Sequence, residues 1–309
     1  MAQAQTRPSQ LAGSAVVGLG AMGLPMGIRL LAAGPVRGID LSEARGALAR
    51  DAGIEPTREL AGVSGAELVL VMVARPADLE AVATGALPHI TPGQTWVLSG
   101  TYGVDPTIRV AEVLTAAGAQ VIDAPVTGGV AGAEHGGLLL FGSGDEATLA
   151  GARERLGLLG EVHHVGPAIG DGQRLKAINQ LLCTVHLAAA GEALNLARSA
   201  GLDLDAAVSI LGAGAAASWM FRDRGPLMVQ GTPEVRSAID VFVKDADIAA
   251  GLAHQVAAPV PVLAAARQQF LAAADAGLGS ADDSTIYSLY GFQTPTIRLD
   301  SPTDDLTKG

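Results

Sequence analysis

The fold is decided by Val16-Val17-Gly18-Leu19-Gly20-Ala21-Met22-Gly23, an apolar segment that runs into a G-x-G-x-x-G motif. The first glycine permits a tight turn, the second lets the backbone approach a pyrophosphate, and the third lets the next helix pack closely. The N-terminus of that helix offers N–H groups to phosphate oxygens. A second predicted strand, at 36–39, ends at Asp40, an acid placed to bind a ribose hydroxyl. This order of segments predicts a dinucleotide-binding site, although a chance glycine turn is the alternative in a chain with 40 glycines.

The composition is that of a globular protein. Of 309 residues, 49% are hydrophobic and 17% are charged, which excludes a disordered chain and leaves room for two domains. The net charge of −11 argues against a nucleic-acid partner, because phosphate binding needs a basic surface. The single cysteine, Cys183, excludes an internal disulfide and a cysteine-rich metal site. It also favours a reducing compartment, so we expect a cytoplasmic location.

The hydropathy of the sequence does not predict a membrane-spanning segment. No apolar run reaches about 18 residues without a charge, so we expect no membrane partner. The first ten residues are polar and lack the apolar core of a signal peptide. We expect this segment and the polar tail at 301–309 to be unstructured.

Strand-like and helix-like segments alternate through the first half of the chain. After the glycine motif, the apolar runs predict strands at 36–39, 68–73, 95–98, 120–123 and 138–141. From about residue 173 helical periodicity takes over, with one long helix followed by shorter ones. The predicted fold class is therefore α/β, with a doubly wound, Rossmann-type parallel sheet at 12–172 and an all-α C-terminal domain for substrate binding and dimerisation at 173–295. Ligands of such sheets bind beyond the carboxyl ends of the strands, so we expect the substrate between the two domains.

A polar stripe lies near the start of the long predicted helix. Lys176, Asn179 and Gln180 stand at positions i, i+3 and i+4 and share one face, beside an apolar face that includes Ile178 and Leu182. The stripe fits the solvated edge of an amphipathic helix. It fits equally well a lysine that exchanges the hydroxyl proton of a substrate, with two amides as orienting partners.

Thr127-Gly128-Gly129 follows the predicted strand that ends at Asp123. The threonine hydroxyl and the glycine N–H groups can together hold a carboxylate without a bulky side chain in the way. A plain tight turn is the alternative.

Three further groups have two interpretations each. Ser99-Gly100-Thr101 ends a predicted strand, where both a cofactor contact and a helix cap are expected. Lys244 is either a surface ion or a group that reaches into the cleft. His163, His164 and His186 lack the spacing of metal ligands, so we expect no metal and a structural or solvated role for them.

Together these segments resemble the β-hydroxyacid dehydrogenase family, to which 3-hydroxyisobutyrate dehydrogenase belongs. The resemblance covers about residues 14–290 and rests on four ordered motifs, GLGAMGLPM, DAPVTGG, GQRLKAINQ and FVKD. It implies an oxidoreductase that transfers a hydride between NAD and a small hydroxy acid. The apolar helical half favours a homodimer or homotetramer.

The resemblance also implies a role for each matching position. Lys176 is then the catalytic acid/base, Thr127, Gly128 and Gly129 bind the substrate carboxylate, and Asn179 and Gln180 orient the substrate and the lysine. The implied cofactor-binding residues are Gly18, Leu19, Gly20, Ala21, Met22, Gly23, Asp40, Val73, Ala74, Thr101 and Lys244.

Within the family, the chain is most similar to the branch that oxidises four-carbon sugar acids such as L-threonate with NAD. The segments that carry this are NQLL at 179–182 with His186, SWMF at 218–221, AIDVFVKD at 238–245 and ADDST at 281–285. The family usually has serine in place of Thr127 and asparagine in place of Gln180. Thr127 keeps the hydroxyl but its added methyl group narrows the pocket, whereas the longer arm of Gln180 favours a larger hydroxy acid than the familiar small substrates. Dehydrogenases of 3-hydroxyisobutyrate, tartronate semialdehyde or glycerate, or a phenylserine-type acid stay open, as does a non-catalytic NAD-binding protein.

Asp40 also bears on the choice between NAD and NADP. A 2′-phosphate needs a cation at this place and is repelled by an acid. Arg37 precedes Asp40 and Arg45 follows it by about a helical turn, and neither is ideally placed. The sequence therefore predicts NAD.

Overall fold

The computed structural model describes residues 13–231 and 234–291. The first ten residues and the tail at 301–309, which we expected to be unstructured, lie outside the described residues, as do the outermost positions of both predicted domains. The chain divides into two compact units. Among the described residues, the first unit holds those up to Asn179 together with His254–Val256, and the second holds those between Gln180 and Ala253 and those from Ala257 to Gly291. Within the described ranges, no helix is both long and apolar enough to cross a membrane.

A single sheet organises the first unit. Its described strands are β1 Ser14–Val17, β2 Val36–Ile39, β3 Glu55–Thr57, β4 Leu68–Val71, β5 Thr95–Leu98, β6 Gln120–Asp123, β7 Val126–Thr127, β8 Leu138–Ser143 and β9 Gly160–Gly166. Their order is β3-β2-β1-β4-β5-β6-β8-β7, with β9 paired to β8. The strand order reverses between β1 and β4, which is the point where sheets of this kind bind their ligands.

The sheet is parallel from β3 to β6, as the sequence predicts. Every residue of β1 and β4 is buried, because helices cover both faces of the sheet. The helices of this unit are α1 Gly23–Leu30, α2 Glu43–Asp51, α3 Pro76–Ala86, α4 Val104–Ala116, α5 Gly129–His135 and α6 Glu146–Gly157. Beyond β6 the pairing changes, and β8 runs antiparallel to β6 and β7. The strands β3 and β9 were not predicted, because both are largely polar and only partly buried.

The second unit is helical. The long predicted helix is confirmed as α7, Asp171–Ser199, which begins in the first unit and ends in the second. The other described helices are α8 Leu204–Ala213, α9 Trp219–Gln230, α10 Ile239–Gln255, α11 Pro261–Ala273, a π-helical segment at Ala274–Leu278 and a 3₁₀ helix at Asp283–Tyr290. The stacked rings of Phe242 and Phe270, with centroids 5.0 Å apart, lie in the core of this unit. We did not predict α9, because Pro226 lies in its interior and proline normally interrupts a helix.

Candidate active site

The glycine turn after β1 has two crowded positions and one open position. Gly18 has a φ of +93°, and a Cβ placed on it would lie 2.4 Å from the carbonyl oxygen of Met72. A Cβ on Gly23 would lie 1.9 Å from the carbonyl oxygen of Gly18. A Cβ on Gly20 would meet no heavy atom within 4 Å. The protein's own packing therefore requires the first and third glycines, whereas the second leaves the backbone open to a bound pyrophosphate.

Asp40 connects this turn to the end of β2. Its Oδ2 accepts a hydrogen bond of 2.7 Å from the N–H of Leu19, and its Oδ1 accepts one of 2.8 Å from the N–H of Ser42. A carboxylate has about four acceptor sites, so these two bonds leave acceptor capacity for the hydroxyls of a ribose. Asp40 thus fixes the shape of the turn and remains suited to the role that the sequence predicts for it.

The segments after β4 and β5 meet at the same edge of the sheet, because the two strands are parallel neighbours. The N–H of Val73 donates to the hydroxyl of Tyr102 at 3.2 Å, and that hydroxyl donates to the carbonyl of Val71 at 3.2 Å. Burial raises the pKa of Tyr102 well above its ordinary value, so the phenol keeps its proton. In the same segments, Ala74 is exposed and Thr101 is half-buried. The structure therefore brings the predicted cofactor contacts Val73, Ala74 and Thr101 to one edge.

The polar stripe of α7 is not a solvated edge. Lys176 is 7% exposed and Gln180 is 8% exposed, although lysine is seldom buried to this extent. Asn179, one turn after the lysine, donates from Nδ2 to Oγ1 of Thr127 at 3.5 Å. This bond brings two predicted substrate-binding residues together. The apolar face beside the stripe is the exposed one, with Ile178 at 53%.

The two glycines after Thr127 shape a turn that only glycine adopts easily. Gly128 has a φ of +127° and Gly129 has a φ of +65°. A Cβ on Gly129 would meet no heavy atom within 4 Å, so its backbone is approachable. The tight turn that the sequence offered as the alternative is present. Its open backbone is also compatible with carboxylate binding.

Gln180 and Lys244 lie in the second unit, where both contact Asp245. Gln180 donates from Nε2 to Oδ2 of Asp245, and Nζ of Lys244 lies 3.1 Å from Oδ1 of the same carboxylate. Asp245 is 3% exposed. The sequence did not predict a role for Asp245, although its position next to Lys244 in the FVKD motif was an available signal. The roles of Gln180 and Lys244 stay predictions.

Two more buried polar residues were not selected from the sequence. Asp123, at the end of β6, is fully buried, and this burial raises the pKa of its carboxyl to about 6. Gln173, in the first turn of α7, is 1% exposed and donates to Asp123 at 2.9 Å. The sequence signal for Asp123 was an acid at the end of an apolar strand, whereas no sequence signal marked Gln173.

The histidines have ordinary surroundings. His163 lies 3.2 Å from Glu161, and a ring nitrogen of His164 lies 3.3 Å from the carbonyl oxygen of Gly144. In the part of the chain that the structure describes, no three or more histidine, cysteine or acidic side chains are grouped to hold a metal.

Comparison with known proteins shows the family. Residues 14–168 match the NAD-binding domain of 6-phosphogluconate dehydrogenase, and residues 170–290 match the family described as NAD-binding of NADP-dependent 3-hydroxyisobutyrate dehydrogenase. L-threonate dehydrogenase of Cupriavidus necator is 36% identical over 91% of this chain and 97% of its own length. The crystal structure of 3-hydroxyisobutyrate dehydrogenase from Salmonella typhimurium has a TM-score of 0.85 and 32% identity, and covers 90% of this chain and 99% of its own. The structure of Psf3 with NADP⁺ and 2-OPP has a TM-score of 0.80 at 25% identity, over 89% and 99% of the two chains.

The fold, a mainly parallel dinucleotide-binding sheet followed by a helical unit, agrees with these matches. The predicted nicotinamide cofactor and dehydrogenase activity are confirmed at the level of the family. The chain belongs to the β-hydroxyacid dehydrogenase family of the 3-hydroxyisobutyrate dehydrogenase type, and it is a nicotinamide-dependent hydroxy-acid dehydrogenase.

Proposed function

We propose that the protein oxidises a four-carbon sugar acid of the L-threonate type and uses NAD as its cofactor. The observation that carries this proposal is the match, over nearly the whole chain, to relatives that are L-threonate dehydrogenases. The site supports the reaction, because a carboxylate-binding turn and a buried lysine both belong to the first unit.

The residues of the glycine turn fit a dinucleotide. Gly20 leaves the space that a pyrophosphate needs, and Asp40 has acceptor capacity for ribose hydroxyls. The bound nicotinamide supplies the acceptor for the hydride that leaves the alcohol carbon. Arg37 supports NAD over NADP, because its guanidinium donates to the carbonyl of Gly62 at 3.1 Å and pairs with Glu55 at 3.3 Å. The guanidinium of Arg37 is therefore engaged by protein groups and is not placed to bind a 2′-phosphate.

The substrate-binding residues divide the work. Thr127, Gly128 and Gly129 hold the substrate carboxylate, and the bond from Asn179 fixes the threonine hydroxyl. Lys176 takes the alcohol proton during oxidation and returns it in the reverse direction. Gln180, whose amide is held by Asp245, offers a longer arm than asparagine for a substrate with additional hydroxyls.

The test is a substrate panel with a lysine variant. We would measure NADH formation with L-threonate, D-erythronate, D-glycerate, 3-hydroxyisobutyrate and phenylserine, for the wild type and for Lys176→Ala. The variant should lose about 100-fold or more in kcat because it lacks the proton acceptor, while it still binds NADH. Arg174→Ala, an exposed change two residues away on α7, is the matched control and should keep its activity. Fastest turnover of another acid would refute the substrate, and a fully active Lys176→Ala would refute the mechanism.

The cofactor is tested by the ratio of kcat/KM for NAD and NADP. We expect the wild type to prefer NAD by about tenfold or more, which corresponds to about 1.4 kcal/mol of discrimination. Asp40→Ala should narrow the ratio, because it removes the acid that binds the ribose and repels a 2′-phosphate. Asp51→Ala, at the exposed end of α2, should leave the ratio unchanged. A wild-type preference for NADP would overturn this reading of Asp40.

We also propose a homodimer or homotetramer in a reducing compartment such as the cytoplasm. Two observations support the oligomer. No residue of the apolar helix α8 is buried, and Ile178 and Leu182 on α7 are 53% and 49% exposed. The lone Cys183 supports the compartment. Light scattering of the purified protein gives the mass, and a monomer would contradict the proposal.

A further inference from the structure

Asp123 caps a helix that begins almost fifty residues later in the chain. Its Oδ2 accepts hydrogen bonds from the N–H groups of Gly170 at 3.0 Å and Gln173 at 3.1 Å, and from the hydroxyl of Ser143 at 3.0 Å. The hydroxyl of Ser143 in turn accepts the N–H of Gly172 at 3.0 Å. The N–H groups of a first helical turn have no partner within their own helix. The strands β6 and β8 therefore supply those partners for α7.

The start of α7 is held tightly against the sheet. A Cβ on Gly172 would lie 2.4 Å from the carbonyl oxygen of Phe141 and 2.9 Å from Oδ2 of Asp123. No larger residue fits at this position without moving the helix. The cap is thus a close contact that defines where the helix begins.

Gln173 extends the cap to the segment after β5. Its Nε2 donates to Oδ1 of Asp123 at 2.9 Å and to the carbonyl of Gly100 at 3.0 Å. Its Oε1 accepts the N–H groups of Tyr102 at 2.9 Å and Gly103 at 3.1 Å. All four hydrogen-bonding positions of this amide are therefore used, and its orientation has only one solution.

Three segments of the predicted active site are adjacent in sequence to the buried cluster of Asp123, Ser143 and Gln173. Lys176 follows Gln173 by three residues, about 4.5 Å along the helix axis. Thr101 lies between the partners Gly100 and Tyr102, and Thr127 follows Asp123 by four residues. A shift in the cluster moves the lysine and the two threonine-bearing segments relative to each other.

We propose that Asp123 and Gln173 are positioning residues that hold Lys176 in reach of the substrate hydroxyl. This inference rests on the proposed role of Lys176. The pair fixes the position of the first turn of α7, and Lys176 follows directly on that helix. Changes in the pair should therefore lower kcat even when the protein remains folded. Misplacement of a reacting group by about 1 Å can cost about 100-fold in rate.

The polarity of the hydrogen bonds provides the test. D123N keeps the shape of the side chain but turns an acceptor into a donor that faces the donor of Gln173. Q173E replaces the donor of the glutamine with an acceptor. Its second oxygen then faces two other acceptors, Oδ1 of Asp123 and the carbonyl of Gly100. The double variant D123N/Q173E restores the pair with reversed polarity, since the introduced amide donates to the introduced carboxylate. That carboxylate still accepts the N–H groups of Tyr102 and Gly103, and only the carbonyl of Gly100 loses its donor.

The experiment is a double-mutant cycle read as kcat and as the Kd of NADH. The substrate is the hydroxy acid that the wild type oxidises fastest. Each single variant should lose between about 10- and 100-fold in kcat with a nearly unchanged Kd, and the double variant should regain most of that loss. If D123N does not accumulate as folded protein, S143A serves in the same assay, because it removes the hydrogen bond donated to Oδ2 of Asp123 and the one accepted from the N–H of Gly172.

Q94E is the matched control for stability. Gln94 is also buried and fully engaged, since it donates to the carbonyls of Val63 and Ala66 at 2.7 Å and accepts from Trp96 at 2.9 Å. It precedes β5, at the opposite end of the strand from Gly100. Q94E should lower the melting temperature and leave kcat unchanged.

The outcomes separate this inference from the proposed function. Rescue of kcat in the double variant supports positioning by the pair. Single variants with wild-type kcat, or losses that simply multiply in the double variant, overturn it. If Lys176→Ala is itself fully active, the proposed mechanism fails, whatever the cycle shows.

Discussion

The pH dependence of stability tests the burial of Asp123 directly. Burial is the largest influence on this carboxyl and raises its pKa from the ordinary 3.8 to about 6, against the hydrogen bonds from Gln173, Ser143 and Gly170, which lower it. Between these two values the folded state binds more protons than the unfolded state. The contribution to the free energy of unfolding is therefore complete below pH 3.8 and is lost as the pH rises through about 6. The whole difference amounts to about 3 kcal/mol, and about 1.4 kcal/mol of it is lost between pH 5 and pH 8.

The assay compares Asp123 with D123N in urea at pH 5 and pH 8. Trp219→Phe in both backgrounds leaves Trp96 as the only indole of the chain, and this buried side chain reports on the first unit. The variant loses hydrogen bonds at both pH values, but it has no carboxyl to titrate. The destabilisation caused by D123N should consequently be about 1.4 kcal/mol smaller at pH 8 than at pH 5. A destabilisation that is the same at both pH values would show that the carboxyl ionises as it does in water.

Two further predictions concern packing and charge. Gly20→Ala should have the melting temperature of the wild type but bind NADH more weakly, because its Cβ meets no protein atom and enters the space for the pyrophosphate. Gly23→Ala should lower the melting temperature, because its Cβ would lie 1.9 Å from the carbonyl oxygen of Gly18. Equal melting temperatures for the two variants would contradict this. Arg224 donates from Nε and Nη2 to the fully buried carboxylate of Asp283 at 2.6 and 3.1 Å, and that pKa is already raised to about 6 by burial. Arg224→Met should therefore lower the free energy of unfolding by about 3–5 kcal/mol, because it leaves a buried carboxylate without its partner. The exposed control Arg222→Ala should lower it far less. Similar urea midpoints for the two variants would show that the pair of Arg224 and Asp283 does not stabilise the protein.

The helix α7 carries two glutamines seven residues apart, and each is held by a buried carboxylate. Gln173 is bound by Asp123 within the first unit, and Gln180 is bound by Asp245 within the second. Lys176 lies between them in the sequence. Each carboxylate therefore orients the glutamine of its own unit, and the glutamine of the first pair lies three residues before Lys176 on α7.

The sequence by itself predicted the central parallel strands of the first unit, β1, β2, β4, β5 and β6, and the helices that connect them. Short apolar runs such as 68–71 are typical of central strands that are buried on both faces, and the spacing of glycines before α1 is typical of a dinucleotide-binding turn. The same local logic identified the lysine, the threonine turn and Asp40, because each lies at the end of a strand or in the first turns of a helix. The predicted roles rest on this placement and on the family to which the chain belongs.

Only the tertiary structure decided which polar groups meet. Asp123 and Gln173 are separated by fifty residues, and a hydrogen bond between them follows from strand order and helix position rather than from any local pattern. The two faces of α7 show the same limit: amphipathic spacing predicts that the apolar face is buried, yet Lys176 and Gln180 are buried and Ile178 is exposed. Periodicity records that the two faces differ, but which face is covered depends on neighbours that lie far away in the sequence.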